Sequence, residues 1–276
     1  MSRPDLQQLY GLRWNPFSPD VPVEALWRSP ELDTFSWRLE RLVRQGGFAL
    51  ITGDPGTGKS AALRQLAHQL DQTPDVLFGA LARPQSTLPD FYRELGHLFG
   101  VPLAPHNRWA GFKSLRETWT AQVEASRCRP VLLVDEAQEI LPNVLAELRI
   151  LASTDFDSRS LLTVVLAGDG RLTRQFRRDD LLPVASRIRV RLNLGYLQPP
   201  QLVEWLGHAL EKAGRPDLMT HEVRQTLAEH AAGNLRVLAN MAHDLLEAAA
   251  RKGRDEIDAQ LYFDLFNPRS NTRSGA

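Results

Sequence analysis

One eight-residue segment has the residue types of a phosphate-binding loop: Gly53-Asp54-Pro55-Gly56-Thr57-Gly58-Lys59-Ser60. An apolar run precedes it at 48–52, and a helical pattern follows from Ala61. This order of strand, loop and helix is the context that the Walker A motif requires, and a chance glycine-rich turn would lack it. The loop N–H groups and the positive end of the helix dipole bind phosphate. We predict that the segment through Ala61 binds ATP, with Lys59 at the β- and γ-phosphates and Ser60 as a ligand of Mg²⁺.

A second apolar run ends in two neighbouring carboxylates, Asp135 and Glu136. The run, 130–134, is apolar enough for a central strand of a parallel sheet. Adjacent residues on a strand point in opposite directions, so the two acids have different roles. We predict that Asp135 holds Mg²⁺ and that Glu136 orients or deprotonates the attacking water. The alternative is a strand end with two solvated acids, and the upstream Walker A segment argues against it.

The composition limits the classes of protein to which the chain can belong. It has 276 residues, enough for an α/β domain and a smaller second one, and a net charge of zero. One cysteine, Cys128, excludes an intrachain disulfide and a cysteine-based metal site, and no histidine has metal-ligand spacing. There is no apolar run of about 18 residues and no signal-peptide pattern, so we expect a cytoplasmic protein without a membrane partner.

Strand and helix patterns alternate through the first two thirds of the chain. Strand patterns lie at about 48–52, 76–82, 130–135, 161–168 and 188–194, with helical patterns at 59–71, 87–99, 109–126 and 143–153 between them. Alternation of this kind predicts a parallel sheet with helices on both faces. After Pro199 and Pro200 only helical patterns follow, at 202–213, 221–230, 235–251 and 259–266.

The order of these motifs resembles that of the AAA+ ATPases, and more closely the ExeA-type branch, named for a secretion ATPase. That branch is in turn similar to transposition-helper ATPases of the TniB, MuB and TnsC kind. The resemblance covers roughly residues 8–250 and rests on Tyr10-Gly11-Leu12, Asn15-Pro16-Phe17, the Walker A loop, Leu133-Val134-Asp135-Glu136-Ala137-Gln138, Leu145 to Leu151, Leu166-Ala167-Gly168, Ser186-Arg187-Ile188 and Gly233-Asn234-Leu235-Arg236. It implies an α/β fold, an AAA+ P-loop NTPase in which a parallel αβα sandwich precedes a small C-terminal helical lid.

The resemblance also implies domain boundaries. We expect a leader over 1–46 that packs on the ATPase core, an AAA+ nucleotide-binding domain over 47–198 and a helical lid over 199–266. The polar residues 267–276 are expected to form a flexible tail.

Family roles transfer to three further positions in the two domains. Asp169 occupies the place of sensor 1, where the branch more often has Gln or Asn, and its alternative role is that of a helix N-cap. Arg187 corresponds to the arginine finger that reaches the γ-phosphate of a neighbouring subunit; Arg178 is the second candidate, and a solvated basic face is the alternative for both. Arg236 corresponds to sensor 2, and its alternative role is an ion pair within the lid.

Pro16 and Phe17 match a segment that packs near adenine in this branch. An aromatic residue beside proline is equally typical of a hydrophobic contact that fixes the leader, so both roles stay open.

The resemblance leaves three functions open. In the first, ATP assembles the protein into a ring or helical filament on duplex DNA, where it regulates transposition and recruits a DDE-type transposase; the compact chain and its arginine-rich stretch 171–191 favour this function. The others are an ExeA-like secretion or cell-envelope ATPase, and a nucleotide-switched scaffold such as a defence-system component. For the first function we predict DNA contacts at Arg83, Arg108, Lys113 and Arg116.

Overall fold

The structure is a computed structural model that describes residues 6–102, 108–156 and 158–266. The chain divides into two compact units. The first is Arg28–Leu194, and the second joins the described residues up to Trp27 with those from Gly195 onward. The predicted tail, 267–276, lies outside the described residues.

Seven strands lie in the first unit. They are β1 (Gly47–Gly53), β2 (Val76–Leu81), β3 (Arg129–Val134), β4 (Ser153–Thr154), β5 (Arg159–Ser160), β6 (Thr163–Gly168) and β7 (Ile188–Leu194). Five of them form one parallel sheet in the order β2-β3-β6-β1-β7, while β4 and β5 form an antiparallel hairpin. The predicted parallel sheet is therefore confirmed, and the hairpin was not predicted because two-residue strands leave no periodic pattern.

Helices flank the sheet and make up the second unit. In chain order they are α1 (Leu6–Tyr10), α2 (Pro30–Gln45), α3 (Lys59–Asp71), α4 (Leu88–Leu98), α5 (Arg108–Ala125), α6 (Pro142–Ala152), α7 (Gly170–Gln175), α8 (Leu182–Ala185), α9 (Pro199–Ala213), α10 (His221–His230), α11 (Leu235–Lys252) and α12 (Ala259–Phe266). None of those that the structure describes is both long and apolar enough to cross a membrane.

Alternate residues of the central strands enter two different cores. Ala49 and Ile51 of β1 pack in one core with α2 and α3, whereas Phe48 and Leu50 pack in the other with α4, α5 and α6. This burial of both faces explains why β1, β3 and β6 are largely apolar, with Thr52, Arg129 and Thr163 as their polar side chains. Because all three strands are parallel neighbours, the loops that follow them meet at one edge of the sheet.

The leader predicted over 1–46 is instead divided between the two units. Tyr10, Leu12 and Phe17 are buried in the core formed by α9 to α12, and the Tyr10 hydroxyl donates to the Arg254 carbonyl at 2.9 Å. Helix α2 belongs to the first unit, where its apolar side chains pack on the sheet. The aromatic residues of the leader complete an apolar face of the helical unit, which explains their placement.

Candidate nucleotide site

The loop between β1 and α3 has the geometry of a phosphate-binding turn. Gly56 and Gly58 have φ angles of +86° and +100°, a region that favours glycine. Thr57 closes the loop, because its backbone N–H and its hydroxyl both donate to the carbonyl of Asp54, at 3.3 and 2.9 Å. The first turn of α3 begins at Lys59 and includes Ser60 and Ala61, so its N–H groups face the loop.

Gly53 at the end of β1 has no space for a side chain. A Cβ atom there would lie 2.5 Å from both the carbonyl oxygen of Leu194 and the hydroxyl of Thr57. Distances this short require the surrounding backbone to move, so glycine at this position allows the loop to turn tightly against β7.

Lys59 lies inside the loop. Its side chain is buried, with 7% of the residue exposed, and its Nζ donates to the carbonyls of Gly53 and Asp54 at 2.8 and 3.1 Å. These bonds hold the ammonium group against two carbonyls of the phosphate-binding loop, where it would supply positive charge to a phosphate oxygen.

Ser60 and Asp135 bring the two halves of the site together. The Ser60 hydroxyl donates to Asp135 Oδ2 at 2.8 Å, although the two residues lie far apart in sequence. The other carboxylate oxygen of Asp135 accepts the backbone N–H of Glu136 at 2.9 Å. A hydroxyl and a carboxylate in contact fit Mg²⁺, which is held by one or two protein oxygens and otherwise by phosphate oxygens and water.

Gln138 holds the carboxylate of Glu136. Its side-chain amide donates to Glu136 Oε2, and its amide oxygen accepts the backbone N–H of Asp169 at 3.2 Å. Gln175 in α7 donates to the Gln138 carbonyl at 2.8 Å, and Gln138 itself is only 4% exposed. The sequence prediction gave no role to Gln138. Its place two residues after Glu136 was the available signal.

Glu136 adopts an unusual backbone conformation. Its φ is +49°, in the left-handed region that few residues other than glycine, Asn and Asp occupy. Such strain is found at functional sites when the surroundings fix it, as the bond from Gln138 does here.

Comparison with known proteins identifies the domain that carries this site. Residues 42–176 match the family model described as the AAA domain. This part of the chain is therefore similar to AAA domains. The predicted AAA+ P-loop fold is therefore confirmed. The helical residues from Gly195 onward lie outside the matched segment.

One curated protein is similar to most of this chain. Over 257 residues the chain is 32% identical to General secretion pathway protein A of Aeromonas hydrophila. This alignment covers 91% of this chain and 46% of that relative. The chain therefore spans about half the length of the curated relative.

Solved structures share the fold at low identity. The Aeropyrum pernix ORC2 protein, solved as ADPNP–ADP complexes, superposes with a TM-score of 0.71 at 15% identity, over 95% of this chain and 72% of that chain. Drosophila ORC bound to DNA gives a TM-score of 0.70 at 20% identity, over 95% of this chain and 65% of that chain.

Within the AAA domain, Asp169 is the N-cap of α7. Its carboxylate accepts the backbone N–H of Arg171 at 2.8 Å and pairs with the Arg171 guanidinium, which also reaches Glu139. Burial raises the pKa of Asp169, but the hydrogen bonds and charge of Arg171 and the charge of Lys59 outweigh it, so the pKa lies below its ordinary value. The N-cap role is thus observed, while the sensor role stays a prediction.

The two candidate fingers lie beyond the AAA domain match, before β7. Arg187 is half-buried, and its guanidinium donates to the carbonyl of Pro183. Arg178 forms two bonds to Asp180, at 3.0 and 2.9 Å, on the exposed surface. Exposed pairs of this kind contribute little, so the Arg178 guanidinium can exchange its partner for a phosphate. The finger role requires a second subunit and stays a prediction.

Arg236 lies in the first turn of α11, in the helical unit. Asn234 caps this helix by accepting the N–H groups of Arg236 and Val237 at 3.0 and 3.2 Å. The Arg236 side chain is exposed and forms no ion pair with any residue that the structure describes, so the structure gives no support to an ion pair within the lid. Its sensor role stays a prediction.

Pro16 and Phe17 are buried in the helical unit. Phe17 is 5% exposed within the apolar core, and its N–H donates to the Asn15 side chain at 3.1 Å. The Asn15 amide is bonded to His243 at 3.0 Å, which fixes this turn to α11. The packing role is therefore observed, and an adenine contact stays a prediction.

Arg108, a predicted DNA contact, is bound to a buried acid. Its guanidinium forms two bonds to Glu147, one of them 3.0 Å long, and the Tyr92 hydroxyl donates to the same carboxylate. Burial raises the pKa of Glu147, but its bonds with Arg108 and Tyr92 lower that pKa below the ordinary range. Because its guanidinium already binds a carboxylate, Arg108 is the weakest of the four predicted phosphate contacts.

The other three predicted DNA contacts lie on the surface of the AAA domain. Arg83 is exposed in the turn after β2. Lys113 lies 3.7 Å from Glu117, and Arg116 stacks over the ring of Phe112 at 5.0 Å. Their DNA contacts stay predictions.

Proposed function

We propose that this protein binds ATP with Mg²⁺ and hydrolyses it. The contact of 2.8 Å between Ser60 and Asp135 carries this proposal, because it places a hydroxyl and a carboxylate together beside the phosphate-binding loop. Bound Mg²⁺ would neutralise phosphate charge and orient the leaving group. Lys59 supplies positive charge to the phosphates, and the carboxylate of Glu136 orients the attacking water and accepts its proton.

Two substitutions separate binding from hydrolysis. Lys59→Ala removes the buried ammonium group, so ATP binding measured with a fluorescent analogue should be lost. Glu136→Gln keeps the shape of the side chain but removes the base, so ATP should still bind while steady-state turnover falls by about 100-fold or more. Normal turnover by the Glu136→Gln protein would refute the assignment of the base.

The work that hydrolysis drives is assembly on duplex DNA. In this proposal ATP joins subunits into a ring or helical filament, and the assembly recruits a DDE-type transposase. The fold supports the DNA part, since a structure of this fold is Drosophila ORC bound to DNA. Because the chain has no net charge, one subunit binds weakly, and assembly adds many weak phosphate contacts.

Fluorescence anisotropy with a labelled duplex tests the DNA part. Affinity should be high with ATP or a slowly hydrolysed analogue, weak with ADP, and should fall steeply as salt rises. Equal and weak binding in all nucleotide states would exclude this function. Co-purification of an ATP-loaded filament with a transposase encoded beside it would test the recruitment step.

The second candidate function is that of a secretion or cell-envelope ATPase. The 32% identity to General secretion pathway protein A of Aeromonas hydrophila favours it. In that case nucleotide should control binding to envelope proteins, and duplex DNA should have no effect on turnover. Turnover with and without DNA therefore discriminates between the two functions.

A further inference from the structure

Helix α2 presents an exposed face that is rich in arginine. Its apolar residues, among them Leu32, Phe35 and Leu39, are buried against the sheet. The opposite face carries the exposed residues Arg38, Arg41 and Arg44, spaced three residues apart, and Trp37, four residues before Arg41, so they lie on one side of the helix. The guanidinium of Arg41 lies over the ring of Trp37 at 5.0 Å, which orders this part of the surface.

The edge strand β7 continues this surface. Strand β7 pairs only with β1, and its exposed residues include Arg189 and Arg191. Arg38 donates to the Arg189 carbonyl at 3.5 Å, and Arg189 reaches the side chain of Gln45 at the end of α2 at 3.5 Å. The helix and the start of the strand edge therefore form one surface, which we call the arginine face and define as Arg38, Arg41, Arg44 and Arg189. Arg191 lies on the other side of the sheet, where it donates to the Ala185 carbonyl at 3.4 Å.

No member of the arginine face has an acidic partner among the residues that the structure describes. Three other exposed arginines of the first unit are paired: Arg93 with Asp90, Arg159 with Glu124 and Arg178 with Asp180. Two of the three acids of α2 have other partners, since Asp33 pairs with Arg28 and Glu40 accepts a bond from Gln69. In a chain with equal numbers of acidic and basic residues, four neighbouring arginines without an acidic partner are a concentration of positive charge that a polyanion would neutralise.

Protection of the sheet edge is a simpler role for charged residues on β7. This role accounts for Arg189 and Arg191 on β7. Arg41 and Arg44 lie on α2, where they cannot prevent another strand from pairing with the edge of β7. A membrane surface is also a poor fit, because the apolar face of α2 is buried in the core and cannot insert. Arginine in rows favours phosphate, which its planar guanidinium binds with two parallel bonds.

We propose that the arginine face, rather than the predicted contacts around α5, binds the phosphate backbone of duplex DNA. This inference rests on the proposed assembly on DNA. The α2 arginines span about 9 Å along the helix axis, and Arg189 lies beside the end of the same helix at Gln45. Each DNA strand presents a phosphate every ~3.4 Å of helix axis, so one subunit contacts several phosphates without reading bases.

The test compares two sets of substitutions that each remove three positive charges. One protein carries Arg38→Gln, Arg41→Gln and Arg44→Gln. The matched control carries Arg83→Gln, Lys113→Gln and Arg116→Gln on the same full-length chain. Anisotropy with a labelled duplex and a slowly hydrolysed ATP analogue is measured across a potassium chloride series, and thermal unfolding checks that both proteins fold.

Loss of the arginine face should weaken duplex binding by about 100-fold in 0.1 M salt and reduce the slope of log affinity against log salt by about 3. The control should bind like the unsubstituted protein. A third protein with Lys at the same three α2 positions should recover most of the affinity, because the phosphate attraction depends mainly on charge. Melting temperatures should stay within about 2 °C of one another, since five of the six substituted residues are exposed and Arg116 is half-buried.

Two results would overturn the inference while leaving DNA assembly intact. One is unchanged binding by the arginine-face protein, and the other is a larger loss in the control. If the unsubstituted protein binds no duplex in any nucleotide state, the proposed function fails and the inference fails with it. Binding of the unsubstituted protein to phosphatidylserine vesicles, lost in the arginine-face protein while duplex binding persists, would also refute the DNA assignment.

Discussion

Gln138 places the catalytic carboxylate of the proposed reaction. It bonds Glu136 with its amide nitrogen and the main chain after β6 with its amide oxygen, so it spans two neighbouring strand ends. Gly168 allows this approach, because a Cβ there would lie 2.6 Å from the Gln138 amide oxygen. A carboxylate fixed in this way needs no reorganisation when the reaction begins.

Replacing the amide should therefore impair turnover more than binding. In a Gln138→Leu protein we expect kcat to fall by about 10-fold or more, because a misplaced base loses alignment with the water. The affinity for ATP should stay unchanged, since Lys59 and the loop are intact. A Gln175→Leu protein is the control, because it loses only the bond to the Gln138 carbonyl. Equal loss of ATP affinity and turnover would show that Gln138 has only a structural role.

Glu147 gives a prediction that depends on pH. Its carboxylate is 5% exposed and is bonded by Arg108 and Tyr92, which lower its pKa. A lowered pKa stabilises the folded state at pH values above the pKa of the unfolded chain, which is about 4.3 for Glu. This contribution is lost as the pH falls through the pKa of the folded state. In urea unfolding, Glu147→Gln should cost about 2 kcal/mol at pH 7, and the cost should shrink towards pH 3.

Glu117→Gln provides the contrast for this measurement. Glu117 pairs with Lys113 on the surface, where both side chains are more than 60% exposed. Its loss should cost less than about 0.5 kcal/mol at any pH. A cost for Glu147→Gln that does not change with pH would contradict the assignment of the ionised, bonded carboxylate.

At the scale of elements, two substitutions of Asp169 distinguish its role as the cap of α7 from a role as sensor of the phosphates. Asn caps a helix about as well as Asp, whereas Ala costs about 1 kcal/mol. If Asp169 acts only as the cap of α7, Asp169→Asn should leave stability and turnover near normal, and Asp169→Ala should lower stability. If the carboxylate acts on the phosphates, Asp169→Asn should change turnover at normal stability. Thermal unfolding and steady-state turnover of both proteins measure the difference.

The sequence alone could predict the elements that carry the site. The Walker A loop, Asp135 and Glu136 each follow an apolar strand, and parallel strands necessarily bring these ends to one edge. The contacts of Gln138 and the pairing of Arg108 with Glu147 could not be predicted, because they depend on which helices pack beside the sheet. The packing of Tyr10, Leu12 and Phe17 in the helical unit could not be predicted for the same reason. These side chains fit any apolar face, and only the folded helices show which face they cover.

At the scale of the whole molecule, zero net charge conceals an uneven distribution of charge. Near the phosphate loop, Arg171 is bound to Asp169 and Glu139, whereas the members of the arginine face have no acidic partner among the described residues. Phosphate contacts by such a face are individually weak, and their sum in an assembly depends on how many subunits join. Assembly therefore determines both DNA affinity and, through Arg187, hydrolysis in the proposed function.

Mixing two inactive proteins tests whether Arg187 acts across a subunit interface. Arg187→Ala should bind ATP but turn it over at least about 1,000-fold more slowly, the contribution typical of a finger supplied by a neighbour. Lys59→Ala cannot bind ATP, but its Arg187 is intact. When the two are mixed, an Arg187→Ala subunit beside a Lys59→Ala subunit has both a loaded site and a finger, so turnover should recover in part. Recovery should depend on the mixing ratio and be greatest near equal amounts, with cross-linking used to confirm that mixed assemblies form. If mixed assemblies form and no ratio restores turnover, Arg187 acts within its own subunit or only supports the structure before β7.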